Sequence, residues 1–172
     1  MGFKDLGEFL KVLRDAGELV EVKAPVDPVL EVTEIYDRVV KKERPALLFT
    51  HVRGSAMPLA INLFGSAKRM SLALGVNDTS EIADRIRSFL DVKPPQGLFE
   101  KLAMIPKLSD LNAVLPKFVK HAPCQEKVIL AGEEKMLDLL PLIQCWPKDG
   151  GKFITFPLVI TKDPETNQRN VG

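Results

Sequence analysis

The sequence has few of the residues that form disulfide frameworks or metal clusters. Cys124 and Cys145 are its only two cysteines. Neither lies in a CxxC or CxxH motif, so we interpret both as reduced, partly buried thiols. The two histidines, His51 and His121, are far apart, and neither has a carboxylate or a cysteine at ligand spacing. These four residues therefore do not indicate a chemical site.

The chain also has no excess of one charge and no long apolar run. Its formal net charge is +1, and basic and acidic residues are interspersed, which gives no electrostatic reason to expect nucleic acid or an anionic membrane as a partner. The first residues have no apolar signal core, and no segment approaches membrane-spanning length. We predict a cytoplasmic protein.

The composition and the pattern of the first hundred residues predict an α/β domain with a mixed sheet. The apolar share of 45% and the charged share of 27% are typical of a globular chain, and helical and strand patterns alternate. The first predicted helix carries Phe3, Leu6, Phe9, Leu10 and Leu13 and ends at Gly17; a strand at 18–22 follows it. The second helix is capped by Asp27, with Pro28 at its first position, and it precedes strands at 46–50 and 59–63. An amphipathic segment with Met70, Leu72 and Leu74 then leads to a helix at 79–90, which begins with a capping box of Asp78 and Glu81.

The second half begins with prolines and then returns to β structure. Residues 94–123 are interrupted by prolines and are predicted to be a helical connector against the first domain. Residues 126–130 are predicted to restart β structure, and 137–140 to form one helical turn. Residues 153–161 read as a strand that Pro157 confines to an edge or a bulge. A turn at 163–167 and a returning strand from Arg169 would complete a hairpin.

Three features suggest sites, each with a simpler structural interpretation. Residues 65–69, Gly-Ser-Ala-Lys-Arg, resemble a phosphate-binding helix start, but they lack the glycine spacing of a P-loop or a dinucleotide fingerprint, which favours an ordinary helix N-terminus. Asp27, Glu31 and Glu34 could form a metal cluster, but their spacing better suits a cap and acids near the positive end of a helix. Trp146 could line a cofactor site, and packing is the simpler role.

Several motifs, in the same order along the whole chain, resemble the UbiD-type decarboxylases, the 3-polyprenyl-4-hydroxybenzoate carboxy-lyases and their relatives. The matching residues are Gly17-Glu18-Leu19, Val26-Asp27-Pro28, Pro45 to Phe49, Asn62 to Gly65, Ala122 to Gln125, Trp146-Pro147, Asp149 to Gly151, Ile154-Thr155, Thr161, Asp163-Pro164 and Asn170 to Gly172. Ala122 to Gln125 resembles the ubiquinone-pathway branch. Family members are much longer, so the resemblance identifies this chain as an N-terminal portion.

The resemblance implies a domain organisation and a function. Residues 1–93 would be the N-terminal mixed-sheet α/β domain, 94–123 the connector, and 124–172 the first strands of an incomplete flavin-binding split β-barrel. The full-length protein would be a lyase that uses prenylated FMN and Mn²⁺ to decarboxylate an aromatic acid such as 3-polyprenyl-4-hydroxybenzoate in ubiquinone biosynthesis. A flavin prenyltransferase would supply the cofactor, and a prenylated substrate would bring the protein to a membrane surface.

The resemblance also assigns two site residues. In the family, an asparagine in the context of Asn170 donates its amide oxygen to a divalent cation, usually manganese, that bridges to the phosphate of the prenylated flavin. Thr155 matches a threonine near the cofactor. The remaining metal ligands, a histidine and a glutamate, together with an arginine and the acid that handles the proton, lie downstream of Gly172 in the family. We therefore expect no catalytic residue within this chain, and neither tight cofactor binding nor activity from it alone.

A second hypothesis treats the chain as a non-catalytic module that associates with a separate catalytic chain or with itself. Unpaired strand edges with apolar faces favour pairing with another chain, so residues 153–161 are predicted to be disordered or paired across a dimer. A homo-oligomer is expected under either hypothesis.

Overall fold

The computed structural model describes residues 2–43, 45–90, 119–130, 132 and 136–172. The elements are, in order, α1 (Leu6–Asp15), β1 (Leu19–Val22), α2 (Glu31–Val40), β2 (Ala46–Phe49), β3 (Leu59–Ile61), α3 (Ala67–Leu74), α4 (Ser80–Leu90), a 3₁₀ turn (Pro123–Gln125), α5 (Met136–Leu139), β4 (Ile160–Lys162) and β5 (Arg169–Val171). Most of the predicted connector at 94–123 lies outside the described residues. Each helix in the described ranges is too short or too polar to cross a bilayer.

Helix α1 has a defined signal at each end. The Asp5 side chain accepts a hydrogen bond of 2.9 Å from the Glu8 N–H, as an N-cap does. At the other end Gly17 has a φ of 71°, a left-handed conformation that glycine adopts without a Cβ clash. The Glu18 N–H then donates to the Leu13 carbonyl at 2.8 Å, which satisfies a carbonyl left open by the end of the helix. The predicted end of the helix at Gly17 is confirmed.

The first domain contains a three-stranded mixed sheet in the order β1-β2-β3. β1 and β2 are parallel, with Leu19 opposite Ala46, whereas β2 and β3 are antiparallel, with Leu48 opposite Ala60. Parallel neighbours need a crossover connection, and α2 lies in the segment between them. The predicted mixed α/β architecture is confirmed.

Strand β2 lies at the centre of the core, and all four of its residues are buried. Ala46 and Leu48 belong to one hydrophobic cluster, whereas Leu47 and Phe49 belong to a second, because successive side chains of a strand point to opposite faces. The first cluster also contains Phe9, Leu13 and Leu19, and the second contains Val26, Val32 and Val52. Helix α1 therefore packs on one face of the sheet and α2 on the other.

The start of α2 differs from the prediction. The helix begins at Glu31, preceded by Leu30, and Asp27 is not its N-cap. Asp27 Oδ1 instead accepts a hydrogen bond of 2.8 Å from the Val29 N–H. The Leu30 N–H donates to the Gln144 carbonyl at 2.9 Å, and Leu30 has a φ of 67°. This long-range pairing outweighs the local cap signal and delays the helix.

The start of α4 agrees with the predicted capping box. Glu81 Oε1 accepts a hydrogen bond of 3.2 Å from the Asp78 N–H, and Asp78 Oδ1 accepts one of 2.8 Å from the Ser80 N–H. The helix itself begins at Ser80. The hydrogen bonds from Ser80 lower the pKa of the Asp78 carboxyl.

The predicted strand at 126–130 is not formed, since these residues have irregular backbone. A strand is stabilised by pairing with a neighbour, and both sheets of the described ranges are built from other segments of the chain. The helical turn predicted at 137–140 is confirmed as α5, one residue earlier.

The predicted strand at 153–161 is present only at its ends. Phe153 forms an isolated antiparallel bridge with Ile143, and β4 begins at Ile160. Between these points Phe156 has a φ of 59°, outside the β region, and Pro157 cannot donate to a ladder. The hairpin itself is confirmed, because β4 and β5 pair antiparallel.

Candidate functional site

Asn170 lies in the middle of β5, on an exposed hairpin. Its partner across the hairpin is Thr161, with Ile160 opposite Val171 on one side of this pair. Directly opposed residues share one face of a sheet and neighbouring pairs face the other way. Asn170 and Thr161 therefore form a polar pair on one face, and Ile160 and Val171 lie on the other face.

The turn of this hairpin is closed by Asp163. Its Oδ1 accepts hydrogen bonds of 2.7 Å from the Thr166 N–H and 2.8 Å from the Glu165 N–H. The Asn167 N–H donates to the Asp163 carbonyl at 3.0 Å. The hydrogen bonds from Thr166 and then Glu165 hold the pKa of the Asp163 carboxyl below its usual value. The local sequence thus sets the register that puts Asn170 opposite Thr161.

Thr155 lies on the segment of residues 154–158, here called the arch. Before the arch, the Phe153 N–H donates to the Ile143 carbonyl at 3.1 Å; after it, Val159 and Gly172 exchange two backbone hydrogen bonds of 2.8 and 3.0 Å. The second pair extends the ladder of the hairpin that carries Asn170. The arch and the hairpin are therefore consecutive parts of one exposed unit.

The segment before the arch is attached to the first domain. Gln144 pairs with the chain at Val29: its N–H donates to the Pro28 carbonyl at 3.1 Å, and its carbonyl accepts from the Leu30 N–H at 2.9 Å. Downstream, Asp149 Oδ2 accepts from the Trp146 N–H at 2.8 Å. These bonds fix where the chain leaves the first domain and enters the arch.

The side chains of Asn170 and Thr155 are both exposed. In the described part of the chain, no hydrogen bond joins them to each other or to another protein group. An exposed amide oxygen is a suitable ligand for a hard divalent cation, which takes six or more oxygen ligands. The described residues contain no group of three or more His, Cys, Asp or Glu side chains placed for a metal. The donor chemistry of the Asn170 amide is compatible with a hard divalent cation, but one neutral ligand is not a complete metal site.

The start of α3, at residues 65–69, does not have the free cations that an anion site needs. Lys68 Nζ and Arg69 Nη1 each lie 2.9 Å from a carboxylate oxygen of Glu18. The N-cap is Ser66, whose hydroxyl accepts from the Arg69 N–H at 3.2 Å. The ordinary helix N-terminus was therefore the better of the two interpretations.

Glu18 is an ion-pair partner that the local sequence did not reveal, since it lies about fifty residues before α3 in the chain. The hydrogen bond from Lys68, aided by Arg69, lowers the pKa of the Glu18 carboxyl against the opposing effect of burial. In the sequence, the only indication of this ion pair was the acidic residue Glu18 itself, directly after Gly17.

The acids considered as a metal cluster have separate partners. Glu31 Oε2 accepts from the Asp27 N–H at 2.6 Å, and Glu34 pairs with Arg38 at 2.7 Å. The structure therefore supports the interpretation of Glu31 and Glu34 as acids near the helix start, although Asp27 does not cap the helix. His51 contacts the neighbouring Thr50 hydroxyl at 3.0 Å.

A group of large apolar side chains around the hairpin is exposed. Its most exposed members are Ile154, Phe156, Leu158, Val159, Ile160 and Val171. Large exposed apolar patches are characteristic of surfaces that another polypeptide or a ligand covers.

Two family models match consecutive parts of the chain. The 3-octaprenyl-4-hydroxybenzoate carboxy-lyase N-terminal domain matches residues 10–88, and the Rift-related domain of the same family matches residues 117–172. The chain is 46% identical over 176 residues to an uncharacterised protein of Aquifex aeolicus (strain VF5), aligning over 100% of this chain and 36% of that protein. It spans about a third of the length of the curated relatives it matches.

Solved structures of similar fold include two enzymes. The vanillic acid decarboxylase of Sedimentibacter hydroxybenzoicus in its open form has a TM-score of 0.73 at 27% identity, covering 100% of this chain and 34% of that one. The UbiD-class enzyme HmfF of Pelotomaculum thermopropionicum in complex with FMN has a TM-score of 0.68 at 25% identity, covering 96% of this chain and 32% of that one.

Proposed function

The chain belongs to the UbiD family, and from this premise we propose that the full-length protein is a prenylated-FMN-dependent, non-oxidative decarboxylase of an aromatic acid. The observation that carries the proposal is the match of two consecutive family domains over most of the chain. The similar fold of a vanillic acid decarboxylase and of an FMN-bound UbiD-class enzyme supports it.

The substrate proposed from the family resemblance is a 4-hydroxybenzoate, with 3-polyprenyl-4-hydroxybenzoate of ubiquinone biosynthesis as the specific candidate. A flavin prenyltransferase would then supply the cofactor. A polyprenylated substrate would draw a cytoplasmic enzyme to a membrane surface, since each buried methylene adds about 0.8 kcal/mol of membrane affinity. The vanillic acid decarboxylase supports the broader class of aromatic acids rather than this substrate alone.

Asn170 and Thr155 are the residues of this chain proposed to hold the cofactor. The Asn170 amide oxygen would be one ligand of Mn²⁺ beside the flavin phosphate, and the Thr155 hydroxyl would bind the flavin from the arch. The exposure of both side chains and the position of Asn170 within a paired strand support these roles. Bound flavin would supply the electron sink for loss of CO₂. A single neutral amide cannot retain a divalent cation, so residues 1–172 alone are expected to be inactive.

The domain division proposed here is an α/β domain at 1–93, a connector at 94–123 and the start of a split β-barrel at 124–172. The gap between the two family models, which end at residue 88 and begin at residue 117, supports a connector in this region, although the second model begins within the proposed connector. The exposed apolar side chains around the hairpin are consistent with a barrel that further strands complete.

The alternative function is a non-catalytic module that pairs with a separate catalytic chain or with itself. The observation that favours it is the same exposed apolar group, which would be covered by another chain. A homo-oligomer would satisfy this requirement under either function.

The test uses full-length protein produced together with a flavin prenyltransferase. We expect saturable flavin binding and CO₂ release from at least one 4-hydroxybenzoate or related aromatic acid. Protein that neither binds flavin nor releases CO₂ from any of these acids would reject the enzyme. Capture of a separate catalytic chain by residues 1–172, with activity only in that complex, would establish the module instead.

Asn170→Ala tests the metal site in the same protein. Loss of a ligand should weaken Mn²⁺ binding by at least about 10-fold. The control is Asn167→Gly, which removes an amide from the same hairpin at a position whose φ of 59° glycine tolerates. Equal Mn²⁺ affinities for the two variants would show that Asn170 is not a ligand.

A further inference from the structure

Phe156 combines two properties that rarely occur together. Its φ is 59°, a left-handed conformation that is unusual for a bulky residue and requires support from its surroundings. It is also 88% exposed, so burial of its side chain does not provide that support. Residues held in such conformations concentrate at functional sites, and Phe156 is adjacent in the chain to Thr155.

The contact that Phe156 makes is with Phe64. The two ring centroids are 5.5 Å apart with a tilt of 43° between the rings, within the favourable range for aromatic pairs. Phe64 in turn stacks on Phe9 at 5.9 Å and 15°, and Phe9 is buried in the first hydrophobic cluster. A row of three rings therefore connects the core of the first domain to the arch.

Apart from this ring contact, the arch is fixed mainly by backbone hydrogen bonds at its two ends. Its backbone is fixed before residue 154 by the Phe153–Ile143 bond and after residue 158 by the Val159–Gly172 pair. Between these two points, the backbone of residues 154–158 makes no hydrogen bond to any described residue. The ring of Phe156 is thus a central attachment between two fixed ends.

We propose that Phe64 is a positioning residue that acts through Phe156 to fix the arch and, with it, the hydroxyl of Thr155 toward a flavin. The part concerning flavin rests on the proposed function. The first domain would then contribute to the cofactor site without touching the cofactor, since Phe64 acts on Thr155 only through the neighbouring residue.

The first experiment tests the ring contact without any cofactor. 4-Fluorophenylalanine is placed at position 156 of the ligand-free full-length protein, and its ¹⁹F resonance is recorded. Phe64→Leu should move the resonance because it removes the ring current beside the label, and Phe64→Tyr should largely restore the position. Phe3→Leu is the matched control: it removes another ring that pairs with Phe9, at a centroid distance of 5.0 Å. A resonance that does not respond to Phe64→Leu would overturn the proposal.

The second experiment measures FMN affinity in the same protein by titration. Phe64→Leu removes two ring pairs, and loss of the one with Phe156 predicts FMN binding about 2- to 10-fold weaker. Binding should be near normal in Phe64→Tyr and Phe3→Leu. If the ring contact is present but Phe64→Leu binds FMN as tightly as the parent protein, the positioning role is wrong and the proposed function stands. If the parent protein binds no FMN, the proposed function and the flavin role both fail, and the ¹⁹F result still decides whether Phe64 holds the arch.

Discussion

Replacement of Glu18 by glutamine should destabilise the protein, because Glu18 pairs with a buried arginine. Arg69 is 1% exposed, and Glu18, itself 18% exposed, lies 2.9 Å from its guanidinium. Arg69 Nε and Nη2 are also buried and have no hydrogen-bond partner among the described residues. Glu18→Gln would leave the Arg69 charge buried with no anion to compensate it.

The expected loss is about 3 kcal/mol, the lower end of the 3–5 kcal/mol measured when one partner of a buried ion pair is removed. The lower end applies because water reaches part of Glu18. At about 2–4 °C per kcal/mol for a chain of this size, the melting temperature should fall by about 6–12 °C. Urea or thermal unfolding followed by circular dichroism measures both quantities.

Two variants make this measurement specific. Lys68 pairs with the same carboxylate but is 59% exposed, so Lys68→Gln should cost no more than about 1 kcal/mol. The double variant Glu18→Gln/Arg69→Met removes both buried charges and should recover much of the loss. If Glu18→Gln costs no more than Lys68→Gln, the buried pair does not stabilise the protein.

The same pair should set part of the acid stability. The pKa of Glu18 is lowered, mainly by the hydrogen bond from Lys68, so its contribution is present above the usual glutamate pKa. It is lost as the pH falls through this lowered pKa. Glu18→Gln should therefore flatten the acid limb of the stability curve.

Two further substitutions test the packing of the first domain. Gly65→Ala should destabilise the protein by about 1–3 kcal/mol in urea unfolding, because a Cβ there would lie 1.8 Å from Asn62 Oδ1 and 3.0 Å from Arg69 Nη2. The control is Gly150→Ala, whose added Cβ would have nothing within 4 Å. Equal stabilities of the two variants would contradict the close approach at Gly65. Phe49→Ala should cost about 3–5 kcal/mol in the same assay, since Phe49 is 0% exposed, and a loss below about 1 kcal/mol would show that the second cluster is not packed as described.

The sequence predicted most of the first domain because its signals are local. The end of α1 depends on one glycine, Gly17, and the mixed sheet on short apolar runs whose burial follows from their composition. The α4 capping box likewise involves residues three positions apart, Asp78 and Glu81.

The errors arose where distant residues decide the backbone. Asp27-Pro28 has the pattern of a helix start, but Gln144 pairs with this segment and moves the start of α2 to Glu31. Residues 153–161 have strand composition, but strand composition does not supply a neighbour, and a left-handed Phe156 interrupts the segment.

The candidate site could be predicted only in part. The hairpin around Asn170 follows from turn residues that are close in sequence, whereas its proposed role as a metal ligand came from family resemblance. The ring contact of Phe64 with Phe156 joins residues that are distant in the sequence, and no periodic pattern encodes it. Arg69 looked like a free cation for the same reason, since its carboxylate partner belongs to another element.

Strand β2 gives alternate residues to both hydrophobic clusters, so the two sides of the sheet share one backbone. Inserting a single residue within β2 would move every following side chain of the strand to the opposite face of the sheet, so that residues now facing α1 would face α2 and the reverse. Helices α1 and α2 both pack against the same four consecutive residues of β2. Loss of either helix would therefore disturb the strand and, with it, the packing on the other face of the sheet. The α/β unit should consequently unfold as a single cooperative block, with no stage at which one layer has melted and the other survives.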